Sequence, residues 1–181
     1  QRSICDQINS EHTDFVNQLN ENELLMRLFM DQGARGEARD VLSLLRALTP
    51  TSLLETRLLA KSMFENTIFL ASFNYDAALI ASAVQMLPET LDMYETPRRI
   101  LYLYTLSLLS FYTEEYETAR GLIYQIETHG RKSTQFLEWQ ISTLRLLTHI
   151  ELGENDLVES LLRSTSRVIG KHALEFPKVM Y

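Results

Sequence analysis

Four short polar segments interrupt long runs of sequence in which apolar residues recur at helical spacing. Each segment ends on a small or branched apolar residue, and these four residues are Ala38, Ala78, Ala119 and Val158. They lie 40, 41 and 39 residues apart. A near-constant period of about forty residues, with one tight turn in each period, indicates stacked helical hairpins.

The apolar pattern predicts a single all-α domain with an N-terminal helix, four helical hairpins and a short tail. In each hairpin the second helix, helix B, has the clearest apolar stripe. The first helix, helix A, is apolar on more faces, which predicts burial on several sides. The predicted N-terminal helix covers residues 1–20, the hairpins cover 21–50, 53–88, 97–130 and 134–172, and the tail covers 173–181.

Two prolines mark predicted helix ends. Pro50 and Pro88 follow the B helices of the first two hairpins. A proline ring disfavours continuation of a helix, so we expect these helices to end at Leu48 and Leu87. Pro97 instead stands at a favoured first helical position, where its missing N–H is not needed.

The charge and composition of the chain limit the kinds of partner and cellular location that we expect. The chain has 181 residues and a formal net charge of −7, which opposes direct nucleic-acid binding. No apolar run reaches the roughly 18 residues that would span a bilayer. The single cysteine, Cys5, cannot form an intramolecular disulfide, which favours a reducing compartment and a cytoplasmic location. The chain begins with Gln1 rather than Met, which predicts a processed or excised fragment.

The residues that carry chemistry form no catalytic or metal-binding pattern. None of the four histidines belongs to a metal-binding helical motif with a glutamate, and there is no cysteine pair, so we predict no metal site. Gly33 and Gly36 lack a preceding strand and a following Lys-Ser or Lys-Thr, so they indicate a turn rather than a phosphate loop. The sequence therefore predicts no cofactor and no enzymatic activity.

The turn segments resemble those of tetratricopeptide-type repeats, a family of antiparallel helical hairpins that stack into a right-handed superhelix. Residues 32–38, Gln-Gly-Ala-Arg-Gly-Glu-Ala, are similar to the family's Gly-x-x-x-x-Ala turn between helices A and B. Tyr75-x-x-Ala78 and Tyr116-x-x-Ala119 resemble its Tyr-x-x-Ala element. The resemblance covers roughly residues 21–171. It implies a right-handed α-solenoid of about four hairpins, of the long-helix kind familiar in bacterial proteins.

The chain also departs from the family pattern. The usual period is about 34 residues, so each repeat here has about six more, which implies longer helices or connectors. The Trp, Leu-Gly and Tyr positions of the family's first helix hold other residues here, among them Ser62, Asn66, Ser107 and His149.

The resemblance implies that the A helices line a concave groove that binds a peptide or a partner protein. Alignment of the four turns places Arg27, Thr67, Leu108 and Leu147 at one recurrent groove position. A second groove position holds Glu23, Met63, Tyr104 and Thr143. Tyr104 is the first candidate, because tyrosine is enriched among interface anchors, although an ordinary core position is an equal alternative.

Two functions remain open from the sequence. The first is a protein-interaction scaffold whose partner is a protein or peptide held in the groove. The second is a sensory or regulatory domain whose superhelix changes pitch when a signalling peptide or a small ligand binds. The residue pattern does not determine the oligomeric state.

Overall fold

The computed structural model describes the backbone of residues 4–130 and 137–175 and the side chains of residues 12–128 and 137–171. Within those ranges the chain is helical and contains no strand, which confirms the predicted all-α class. Its α-helices, α1 to α8 in chain order, are Ile4–Asp31, Arg35–Ala47, Leu53–Asn74, Ala77–Thr90, Thr96–Tyr112, Tyr116–Gly130, Glu138–Glu151 and Asn155–Glu175. A short 3₁₀ turn, Leu91–Met93, follows α4.

The chain divides into two compact units, Gln1–Met93 and Tyr94–Tyr181. In the first unit α1 packs against α2 and α3 packs against α4, and α3 also contacts α1 and α2. In the second unit α5 pairs with α6 and α7 pairs with α8, and α7 also contacts α5 and α6. Each unit is therefore a pair of helical hairpins packed side by side.

Each hairpin turn contains one residue with a left-handed backbone, which reverses the chain within a few residues. These residues are Gly33 (φ 71°), Tyr75 (φ 48°), Glu114 (φ 64°) and Gly153 (φ 71°). They are 42, 39 and 39 residues apart. Helix B begins two residues after each of them. The four turns therefore follow one backbone design, although only two of them use the glycine that this conformation favours.

Three of the turns also share a pair of backbone hydrogen bonds. In the first turn, the N–H of Gly33 donates to Met30 O at 3.0 Å and the N–H of Ala34 donates to Phe29 O at 2.8 Å. The same two bonds recur around Glu114 and around Gly153. This pair is the Schellman motif, which satisfies carbonyl groups that a helix end leaves without partners.

In the first three hairpins the first buried residue of helix B stands five positions after the left-handed residue, and in the fourth hairpin the half-buried Val158 stands there. In the first hairpin it is Ala38, whose N–H donates to Ala34 O at 3.1 Å. In the second hairpin the same bond, at 2.9 Å, is made by Ile80 to Asp76 O. Ala119 and Val158 make this bond in the third and fourth hairpins.

The predicted alignment of the second hairpin was therefore wrong by two residues. Ala78 is exposed, whereas Ile80 is only 3% exposed and Ala38 and Ala119 are fully buried. The alignment relied on an alanine matching an alanine. The second hairpin fills this position with the larger Ile80, and its Ala78 lies in the solvent-facing first turn of α4.

Two predicted helix boundaries also differ from the structure. The predicted break near residue 20 is absent, and α1 is continuous over 28 residues. The buried residues Phe15, Leu19, Met26 and Met30 keep one apolar face through this region, and no glycine or proline interrupts it. α4 continues past Pro88 to Thr90, because a proline so close to a helix end interrupts few hydrogen bonds. Residues 134–136 and 176–181 of the predicted last hairpin and tail lie outside the described residues.

The buried stripes of the B helices hold each hairpin together. In α2 the buried residues Ala38, Val41, Leu42 and Leu45 recur every three or four positions, as the sequence predicted. They pack with Met26 and Leu70 of α1 and α3 in the core of the first unit. Full burial of a leucine-sized side chain contributes about 1.5–3 kcal/mol, so a few such contacts hold each pair of helices together.

Candidate functional site

The hairpin register defines two recurrent positions on the A helices that are at least partly open to solvent. They lie eleven and fifteen residues before the buried position that Ala38 occupies in the first hairpin. The first position holds Arg27, Phe69, Leu108 and Leu147. The second holds Glu23, Glu65, Tyr104 and Thr143. All eight side chains are exposed or half-buried, although Phe69 also packs against the core of the first unit.

The two-residue shift in the second hairpin changes its candidate residues. Thr67 was predicted to face the groove, but it is fully buried and its hydroxyl donates to Met63 O at 2.7 Å. Met63 is half-buried and packs against the core of the first unit. Phe69 and Glu65 occupy the equivalent positions in α3. The match of Ala78 to Ala38 gave the wrong register for this hairpin, whereas the left-handed residue Tyr75 gives a register that matches the burial of Ile80.

In the first unit the accessible side of α1 is partly apolar. Arg27 is exposed, and its neighbours Leu24 and Leu28 are 69% and 47% exposed. Leu24 and Leu28 are four residues apart and therefore share one face of the helix. The sequence analysis identified Arg27 and Glu23 on this helix and missed Leu24 and Leu28, because it considered only two positions per repeat.

In the second unit, one face of α5 is a stripe of large side chains. Leu101, Tyr104, Leu108 and Tyr112 follow each other at intervals of three or four residues. Leu101 is 43% exposed and Tyr112 is 59% exposed, while Tyr104 and Leu108 are half-buried. The opposite face of α5 contains the buried residues Leu103, Leu106 and Ser110 and belongs to the interior.

α7, which contacts α5, has a second exposed stripe. Trp139, Leu147 and Ile150 are 42%, 41% and 46% exposed, and the half-buried Thr143 lies between them on the same face. The Schellman bonds around Glu114 and Gly153 relate α5 to α7 by 39 residues. That relation pairs Tyr104 with Thr143 and Leu108 with Leu147, as the sequence alignment predicted.

We call these two stripes together the α5–α7 surface. It consists of Leu101, Tyr104, Leu108 and Tyr112 on α5 and of Trp139, Thr143, Leu147 and Ile150 on α7. The sequence analysis predicted Tyr104, Leu108, Thr143 and Leu147 and missed the other four. The three- and four-residue spacing from the predicted positions would have found them, because such spacing keeps residues on one helix face.

The phenol of Tyr104 stays neutral up to a higher pH than that of an ordinary tyrosine, because its pKa is raised. Burial raises the pKa of Tyr104, and the neighbouring Tyr112 raises it further. A neutral phenol keeps its O–H as a hydrogen-bond donor while its ring adds apolar contact area. Tyr104 therefore combines an apolar body with a polar tip in the middle of the α5 stripe.

Neither a metal-ligand group nor a membrane-spanning helix is found among the described residues. Among residues 12–128 and 137–171 there is no group of histidine, cysteine, aspartate and glutamate side chains that could hold a metal ion. None of the described helices combines the length and the apolar character needed to cross a membrane.

No family model, no curated protein and no solved structure matches this chain.

Proposed function

We propose that this protein is an interaction scaffold and that the α5–α7 surface binds a peptide segment of a partner protein. One observation carries the proposal. Two contacting A helices each expose a stripe of large apolar side chains along the face that does not serve the core. If the two stripes join into one patch, such an exposed apolar area is typical of a binding surface on a soluble protein.

The composition of the surface also favours a protein partner. Tyrosine and tryptophan are enriched at interface centres, because a large rigid ring buries much area at low entropic cost. The surface contains Tyr104, Tyr112 and Trp139, and it contains no charged residue. We infer that the partner segment presents apolar anchors three or four residues apart, which match the spacing of Leu101, Tyr104 and Leu108. The net charge of −7 favours basic residues flanking those anchors.

The proposal includes a tetratricopeptide-like architecture. The four turns with one backbone design, and the side-by-side hairpins within each unit, support a repeat array of helical hairpins. In such an array the A helices would line the concave side of a right-handed superhelix. The α5–α7 surface would then be part of that concave side.

The proposal is tested with a peptide that is selected for binding to this protein. A displayed library of random peptides is selected against the full chain, and the best binder is resynthesised with a fluorescent label. Its dissociation constant is measured for the wild type and for the Tyr104→Ala and Leu147→Ala variants. We expect each substitution to weaken binding by about 1–2 kcal/mol, with thermal stability nearly kept.

The matched control is Leu162→Ala. Leu162 is an equally apolar, 52% exposed residue of the same unit, but it lies on α8 outside the proposed surface. Binding of the selected peptide should be unchanged in this variant. If Leu162→Ala weakens binding and Leu147→Ala does not, the peptide site lies elsewhere and the proposal fails.

A further inference from the structure

A cavity of about 330 Å³ lies between α6 and α7 in the second unit. α6 supplies Arg120, Gly121, Ile123, Tyr124 and Glu127, and α7 supplies Arg145, Thr148 and His149. The cavity is distinct from the α5–α7 surface and shares no residue with it. Its volume is near the lower end of the range for small-molecule sites, which is about 300–1,000 Å³.

Arg145 lines this cavity, and its guanidinium is only partly hydrogen-bonded. One terminal nitrogen, Nη1, donates to Oε1 of Glu127. Its Nε is buried without a hydrogen-bond partner, and its Nη2 also has no partner among the described residues. A buried N–H without a partner is costly, and native structures with one call for an explanation. Nε and Nη2 form one edge of the guanidinium, and such an edge binds the two oxygens of a carboxylate in parallel.

Two further positive or protonatable groups line the same cavity. Arg120 is held by two carboxylates, because its Nη1 lies 2.5 Å from Oε1 of Glu154 and its Nη2 pairs with Glu117. The Nδ1 of His149 bonds to the other carboxylate oxygen of Glu154, which leaves Nε2 without a partner among the described residues. That hydrogen bond from His149 is the main cause that lowers the pKa of Glu154. Glu154 therefore stays ionised and orients both the imidazole and the guanidinium.

A second cavity of about 340 Å³ also borders Arg145 and Glu127, but its lining differs. It contains Glu138 and Ser142 in place of Arg120 and His149. An anion would meet two carboxylates there and only one guanidinium. The cavity between α6 and α7 is therefore the better place for a negatively charged group.

Gly121 lines this cavity from α6 without a side chain. It lies in the interior of α6, where glycine costs about 1 kcal/mol relative to alanine. Its backbone does not need a glycine, and an added Cβ would have no heavy atom within 4 Å. Neither packing nor conformation accounts for the glycine. Gly121 is exposed, and its missing side chain leaves this side of the cavity open to solvent.

We propose that the cavity between α6 and α7 binds a small monocarboxylate with an apolar body of about one ring. The carboxylate lies on the Nε–Nη2 edge of Arg145, near Arg120 and His149. The apolar body lies over Gly121 against Ile123 and the ring of Tyr124. This site is independent of the peptide-binding function proposed above, because it uses other residues and another pair of helices.

The test uses phenylacetate as the probe and follows backbone amide signals of the full ¹⁵N-labelled chain by NMR. We expect saturable shifts centred on Gly121 and Thr148, with a dissociation constant of about 1 mM or tighter for a ligand of this size. Phenylacetamide, which lacks the charge, and inorganic phosphate, which lacks the ring, should each bind at least about tenfold more weakly. Equal binding of either control compound would overturn the proposal, as would shifts centred elsewhere.

Two variants complete the test. Arg145→Gln should weaken phenylacetate binding at least about tenfold, because the bidentate edge is lost. Since that change also leaves Glu127 without its partner, Gly121→Leu serves as a second variant that keeps every ion pair. Gly121→Leu should abolish binding by occupying the space that the apolar body of the ligand needs, while raising the melting temperature, because leucine is a better helix former than glycine. Unchanged phenylacetate binding in a folded Gly121→Leu variant would contradict the proposed site.

Discussion

The Nδ1 of His12 on α1 lies 2.7 Å from Oε1 of Glu55 on α3, and Glu55 is only 1% exposed. The other carboxylate oxygen of Glu55 accepts hydrogen bonds from the N–H of Thr51 at 2.6 Å and from its hydroxyl at 2.8 Å. Ser52 caps α3 by accepting from the N–H of Glu55. One buried carboxylate therefore both caps α3 and links it to α1, in a variant of the capping box.

The pH dependence of stability in the first unit should depend on Glu55. The hydrogen bond from the Thr51 N–H, followed by that from His12, lowers the pKa of Glu55 from 4.5 to about 2. A carboxylate with a lowered folded-state pKa stabilises the fold above its unfolded-state pKa. We expect this stabilisation to be complete above about pH 4.5 and to disappear as the pH falls towards 2.

Glu55→Gln tests this expectation by thermal unfolding between pH 7 and pH 2. The variant should melt well below the wild type at pH 7, and the difference should shrink below pH 4.5. Glu89→Gln, which changes an exposed glutamate of the same unit, should leave the melting temperature nearly unchanged. A constant difference between Glu55→Gln and the wild type down to pH 2 would show that the carboxylate charge does not matter.

The hairpin register predicts opposite outcomes for two alanines that the sequence alone treats as equivalent. Ala119 is fully buried where α5 and α6 pack, so Ala119→Arg should destabilise the protein by at least about 3 kcal/mol through overpacking and an uncompensated charge. Ala78 is exposed, so Ala78→Arg should cost less than about 1 kcal/mol. Chemical denaturation measures both, and equal losses would refute the two-residue shift.

The left-handed residues of the turns offer a stabilising substitution. Glu114 is exposed and adopts φ 64°, a conformation that costs a non-glycine residue roughly 1–2 kcal/mol. Glu114→Gly should therefore raise stability by about 0.5–1 kcal/mol. Gly153→Ala, at the equivalent position of the fourth hairpin, should lower stability by about 1 kcal/mol or more.

The control for this pair is Gly36→Ala. Gly36 lies in the first turn of α2, where its φ is not positive and an added Cβ meets nothing within 4 Å. Denaturant titration should show that alanine is harmless or stabilising there. If Gly153→Ala lowers stability no more than Gly36→Ala does, the left-handed backbone at Gly153 does not strain a residue that has a side chain.

Most of the fold follows from sequence features that act locally. The stripe of Ala38, Val41, Leu42 and Leu45 and the glycines at 33 and 153 identify helices and turns without tertiary information, because periodicity and backbone freedom are properties of neighbouring residues. The register of the second hairpin depends instead on Tyr75 adopting a left-handed backbone. Tyrosine carries no propensity for that conformation, so only the folded chain reveals it.

The candidate sites differ in the same way. Tyr104 and Leu147 were found from repeat spacing, because an exposed helix face keeps its period along the chain. The cavity between α6 and α7 could not be found, because it depends on which ion pairs form between side chains far apart in sequence. Arg120 and Glu154 are 34 residues apart and meet only when α6 and α7 pack.

Binding of a peptide to the α5–α7 surface, which is central to our account, can be measured through a single residue. Trp139 is the only tryptophan of the chain, and it lies on that surface with 42% of its side chain exposed. Acrylamide quenching of its fluorescence is measured with and without a saturating amount of the selected peptide, which is made without tryptophan. Our account predicts that the bound peptide covers Trp139 and lowers the quenching constant by about twofold or more, as burial at an interface centre excludes solvent. An unchanged quenching constant with the peptide fully bound would contradict it.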